Sequence, residues 1–69
     1  MTFPMTAEQQ LQDARRELAA AEQGLTAGTE AARVRYARAL HEADMAERRA
    51  ERQARERNRQ HRSWWLAVG

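Results

Sequence analysis

The chain has 69 residues, 15 of them Ala and 12 Arg, with no Cys, Lys or Ile. So short a chain makes one domain at most and buries only about 60% of its unfolded surface, and without cysteine neither disulfides nor thiolate metal sites can reinforce it, which leaves self-association or docking on a partner. The net charge of +2 is segregated: residues 1–30 carry five acids against two Arg, and residues 31–69 carry ten Arg against five acids, so the C-terminal half suits an acidic partner, protein or nucleic acid.

No secretory leader and no apolar run near 18 residues is present, so the sequence reads as a single cytoplasmic domain, 1–69, with no membrane contact. Ala, Arg, Glu, Gln and Leu are all strong helix formers, and this composition predicts long helices. After the short apolar lead-in "MTFPM", Thr6 is a good N-cap and Gln9 completes a Thr-x-x-Gln capping box. A first helix is predicted from about 7 to 23, with Gly24 suited to the left-handed position past its end. Leu11, Ala14, Leu18, Ala21 and Leu25 are spaced 3, 4, 3, 4, one heptad stripe.

The stretch "GLTAGT" at 24–29 is the break, and Thr26 or Thr29 can cap the next helix. That second helix is predicted from about 30 to 62, where Gly and Pro are absent. Ala32, Tyr36, Ala39, Ala43, Ala46 and Ala50 repeat at 4, 3, 4, 3, 4, giving a stripe of mostly small residues. The fold class predicted is therefore all-α: an antiparallel hairpin in which Leu11, Leu18 and Leu25 lie against the Tyr36 and Ala stripe. At 1.5 Å per residue the helices span roughly 26 and 50 Å, so residues 47–62 are expected to project beyond the hairpin, followed by an apolar tail at 63–69. "ARVRYA" also alternates, and a β-hairpin within 31–43 is the alternative, though "YARAL" lacks the Gly of a tight turn.

Val34, His41, Met45 and Leu40 lie beside the stripe, either widening the core or forming a homodimer seam that turns two hairpins into a bundle. With Leu11, Leu18, Leu25 and Tyr36 they are the candidate core or dimer residues. Arg48, Arg52, Arg55, Arg59 and Arg62 recur at 4, 3, 4, 3 along one helical face. Such a stripe can track phosphates or an acidic protein surface. Asp44, Glu51 and Glu56 stand three or four residues before Arg48, Arg55 and Arg59, and those spacings predict ion pairs that neutralise part of the stripe. Trp64, Trp65 and Leu66 form an apolar cluster of the kind that anchors interfaces, on this chain or on a partner. His41 and His61 are too isolated for a metal site, and no catalytic constellation is legible, so the chain is expected to be no enzyme and to need no cofactor.

In size, in Ala/Arg-rich composition and in its expected helical hairpin, the chain is similar to small phage-encoded quorum-sensing anti-activators. That resemblance implies a homodimer that binds a host transcription regulator and blocks its DNA binding; it transfers no site residue. Leu11, Arg15, Leu18, Ala21 and Gly24, the "VRY" at 34–36 and the aromatic end with Trp64 and Trp65 resemble the lambda-type phage head–tail joining proteins. This second resemblance implies a strand at 34–36 and a structural adaptor role, and both resemblances imply a bacterial host cell as the setting. The expected function is a non-enzymatic phage accessory protein that binds and inhibits a host protein. Trp64, Trp65 and Leu66 would anchor it, and Arg52, Arg55, Arg59 and Arg62 would steer it to an acidic surface. A virion adaptor and a nucleic-acid binder are the alternatives.

Overall fold

The computed structural model describes residues 6–68, with side chains from 6 to 60. Two helices form an antiparallel hairpin: α1 at Ala7–Gly24, then one 3₁₀ turn at Leu25–Ala27, then α2 at Glu30–Val68. No strand occurs among the described residues, so 31–43 is helix and the β-hairpin alternative is not realised. Ala, Arg and Leu dominate that stretch, and helix propensity prevails over the brief alternation.

The N-terminus of α1 is set by the capping box. The Gln9 backbone N–H donates to Thr6 Oγ1 at 3.1 Å, and the Thr6 N–H donates to Gln9 Oε1 at 2.9 Å. Thr29 begins α2 with the side-chain half of that arrangement only, its Oγ1 accepting from the Ala32 N–H at 3.1 Å. Thr26 plays a different part: its hydroxyl donates to the Gln23 carbonyl at 3.0 Å and closes the end of α1.

The turn differs from the expectation at its glycines. Gly24 is right-handed helical, and the left-handed residue is Gly28 at φ 67°. Leu25 explains the difference, because it continues the stripe four residues after Ala21. A left-handed Gly24 would swing it off the seam, so the reversal waits until the 3₁₀ turn is complete. The two glycines should therefore respond with opposite signs. A Cβ on Gly24 meets only Arg35 Nη1, at 3.9 Å, so Gly24→Ala is expected to stabilise by about 0.5–1 kcal/mol through reduced unfolded-state entropy. Gly28→Ala meets no atom within 4 Å but must hold a left-handed backbone, and should destabilise by about 1–2 kcal/mol. Thermal melts of the two variants check this, and shifts of one sign would contradict the turn geometry.

The seam follows both heptad stripes. Ala7, Ala21, Ala39 and Ala46 are buried, at 5%, 0%, 3% and 2% exposure. Leu11, Ala14, Leu18, Leu25, Ala32, Tyr36, Ala43 and Ala50 are half-buried on the same two faces. Ala7 extends the first stripe by one 4-residue step beyond its expected start, and the spacing back from Leu11 carries it. No large side chain among the described residues is fully buried. The small residues let the backbones approach, while Leu11, Leu18 and Leu25 stay half-buried.

Two boundaries depart from the sequence reading. First, α2 runs to Val68 rather than ending near 62, so 63–68 is not a separate tail. Ser, Trp, Leu and Ala are all tolerated in a helix, and no breaker occurs before Gly69. Second, the hairpin covers more of α2 than expected, because Glu8 at the start of α1 reaches Arg57, with Nη2 to Oε1 at 3.0 Å. The 3₁₀ turn adds length to α1, and the connection is short. Among the described side chains Ala50 is the last half-buried residue of α2 and 51–60 are exposed, so the projection begins just past residue 50 instead of at 47, with Arg57 reaching back to Glu8.

The molecule is one layer thick. Its extents are 60 × 27 × 13 Å and its radius of gyration is 17.3 Å, against about 11 Å for a compact chain of this length. The 60 Å axis is the length of α2, and 13 Å is the width of a single helix. The accessible surface is 6017 Å², where a compact monomer of this mass exposes about 4,450 Å².

Candidate protein-binding surface

α2 turns its Ala stripe to α1, and a helix advances about 100° per residue. By that rotation Val34, Ala37, His41 and Met45 lie within about 40° of the direction opposite the stripe, and farther along the same back face come Arg48, Arg52, Arg55 and Arg59. The candidate dimer residues and the Arg stripe are thus one continuous face, apolar toward the turn and cationic toward the C-terminus. Val34 and Leu40 are 45% and 44% exposed, the large apolar side chains left open among the described residues. Leu40 lies on one flank of this face, and Met45 is half-buried. Arg62, Trp64, Trp65 and Leu66 fall in the helical backbone of α2, but their side chains lie outside the described residues.

The arginines are partly neutralised, as the spacings predict. Arg48 pairs with Asp44 at 3.3 Å, Arg55 with Glu51 at 3.9 Å and Arg59 with Glu56 at 3.8 Å. Arg52 makes no ion pair among the described residues. It lines an open groove of about 450 Å³ with Ala7, Gln10, Arg49, Gln53 and Glu56. A second open groove of about 550 Å³ lies toward the turn and includes Val34, Ala39, Arg35, Arg38 and Glu42. Neither encloses a substrate or gathers convergent catalytic groups. Among the described residues no three His, Cys, Asp or Glu side chains group as a metal site, and no helix is long and apolar enough to cross a membrane.

The sequence reading missed two cross-helix bridges. Arg35 grips Glu17 in a bidentate pair, Nε to Oε1 at 2.7 Å and Nη2 to Oε2 at 3.2 Å. The second is Glu8 with Arg57. The signal was available: Glu17 and Arg35 each precede a seam residue, Leu18 and Tyr36, which are flanking heptad positions, and Arg57 stands one heptad beyond Ala50. The hydrogen bonds from Arg35, opposed by desolvation and aided by its charge, hold the Glu17 carboxyl below its ordinary value. The Arg35 guanidinium is driven further toward its charged form by the same contacts. A carboxylate with a lowered folded pKa stabilises above its unfolded pKa, and that contribution is lost as pH falls through the folded value. Parent and Glu17→Gln should therefore differ in melting temperature by a constant amount from neutral pH down to about 5, and converge below the ordinary value of 4.5. A difference that is flat across the whole acid range would mean the bridge contributes nothing to folding.

Comparison with known proteins finds no match to a family model, to a curated protein or to a solved structure.

Proposed function

We propose that this chain is a non-catalytic protein-binding module that works as a homodimer and docks on another protein through the back of α2. The observation that carries this reading is the single-layer architecture. A stable domain packs at least two layers of secondary structure around its core, whereas this hairpin is 13 Å thick with only alanines fully buried. A second layer supplied by another polypeptide completes it. Val34, Leu40 and Met45 offer a second copy an apolar contact, which leaves Arg52, Arg55 and Arg59 to select an acidic surface on the other protein.

The finer reading is a bacteriophage accessory protein that inhibits a host factor acting in the bacterial cytoplasm. The likeness to quorum-sensing anti-activators makes a transcription regulator the first target class to screen. Two observations weigh against the alternatives. Three of the stripe's arginines are already paired with acids, which weakens the field a phosphate backbone would need. Residues 34–36 are helical, where the head–tail joining resemblance implies a strand.

The test is affinity capture from bacterial lysate with and without nuclease, followed by titration of the purified target. An Arg52→Glu/Arg59→Glu variant and a Trp64→Ala/Trp65→Ala variant run beside the parent. A single protein retained after nuclease should bind the purified chain, and the Arg variant should weaken that binding at least tenfold, as loss of interface arginines does. Loss with the Trp variant would place the anchor at the end of α2. Recovery that disappears with nuclease would transfer the function to nucleic-acid binding.

A further inference from the structure

We propose that two copies pack antiparallel, back to back through α2, with the two-fold axis level with residues 39 and 40, so that Val34 of one copy lies against Met45 of the other. This rests on the homodimer reading above and adds the face, the direction and the register.

The direction follows from charge. The back of α2 carries Val34, Ala37, His41 and Met45, a face without Arg, Asp or Glu, and is cationic from Arg48 onward. A parallel dimer would set Arg48, Arg52, Arg55 and Arg59 each against its own copy, four like-charge contacts on one seam. Antiparallel packing superposes only the apolar half on itself and sends the two cationic halves out at opposite ends.

The register follows from symmetry. The apolar patch is bounded by Val34 and Met45, and an antiparallel two-fold that covers it with its own copy must cross its midpoint. That midpoint brings oppositely charged residues level on both flanks. Arg38 meets Glu42 of the second copy on one side, while Arg33 meets Asp44 and Arg48 meets Glu30 on the other. Each contact occurs twice, as a two-fold requires. Glu30 and Asp44 already bind Arg33 and Arg48 within the helix, at 2.9 and 3.3 Å, so the dimer links these pairs into a ladder.

The extended shape leaves unpartnered surface to spare over the molecule as a whole. The accessible surface of 6017 Å² exceeds that of a compact chain by about 1,500 Å², and a stable interface needs about 800 Å² from each partner. One consequence is bivalence: the two Arg55 residues would stand about 45 Å apart at 1.5 Å per residue.

The chain has no cysteine, so engineered thiols report alone. Val34→Cys, Met45→Cys and their one-to-one mixture are oxidised under mild conditions and run on a non-reducing gel. Sedimentation equilibrium of the parent and the reduced variants runs alongside. The inference expects a dimer in sedimentation, a cross-link in the mixture and none with Val34→Cys alone, because the two Val34 residues lie about 17 Å apart along the axis. Val34→Asp should weaken the dimer at least tenfold while the helical circular-dichroism signal remains. Self-cross-linking of Val34→Cys would establish a parallel dimer and overturn the inference. A sedimenting dimer with no cross-link in the mixture would overturn the face while leaving the homodimer intact. A monomer at all concentrations would overturn both.

Discussion

Ala21→Leu is expected to destabilise the hairpin by about 1–3 kcal/mol, the usual consequence of forcing extra methylenes into a packed seam. Ala21 is 0% exposed, and the other buried residues, Ala7, Ala39 and Ala46, are as small. The helices approach through these methyl groups, so a Leu at 21 must either push α2 away or leave its rotamer well. Separation would also pull apart Glu17 and Arg35, whose bidentate geometry needs Nε and Nη2 within 2.7 and 3.2 Å of the two carboxylate oxygens. A chain of this length has a total stability of only about 3–10 kcal/mol, so the melting temperature should fall by several degrees at least. Ala20→Leu is the control: Ala20 is exposed on the same helix, and Leu and Ala differ little in helix propensity. Denaturation followed by circular dichroism separates them. Equal midpoints for the two variants would show that the helices do not meet along the alanines.

Leu18→Ala should destabilise by about 2 kcal/mol, the low end of the range for buried leucine truncation. The heptad pattern alone, with Leu18 central in its stripe, predicts about 2–4 kcal/mol on the premise of full burial. The structure lowers that figure, because Leu18 is half-buried rather than fully buried. Its effect should also be independent of protein concentration, since its contacts lie within one hairpin. Val34→Ala provides the contrast. Val34 is 45% exposed on the face proposed above to meet the second copy, so, if that proposal holds, the larger part of its effect should fade on dilution, as mass action requires of an interface residue. Urea unfolding of both variants at two concentrations tenfold apart gives the answer. A Leu18→Ala protein that unfolds like the parent would remove Leu18 from the hairpin core.

Features that depend on neighbours within one helical turn are legible in the chain alone. The Thr6–Gln9 capping box, the Thr29 cap, both heptad stripes and the pairs Asp44–Arg48, Glu51–Arg55 and Glu56–Arg59 follow from 3.6-residue periodicity and from spacings of three and four. The all-α hairpin follows too, because a single Gly-containing break between two facing stripes leaves little else for them to pack on. Features that depend on how the stripes meet come from the packing of α1 on α2. That packing puts the left-handed glycine at 28 rather than 24, because Leu25 has first to reach the seam. It sets Glu17 against Arg35 and Glu8 against Arg57, and so carries α1 farther along α2 than helix lengths alone imply. It also leaves Val34, His41 and Met45 on one back face with the Arg stripe. These outcomes turn on the interhelical register, which small seam side chains permit but do not specify, so the turn's conformation and the charges at the seam's margins fix it.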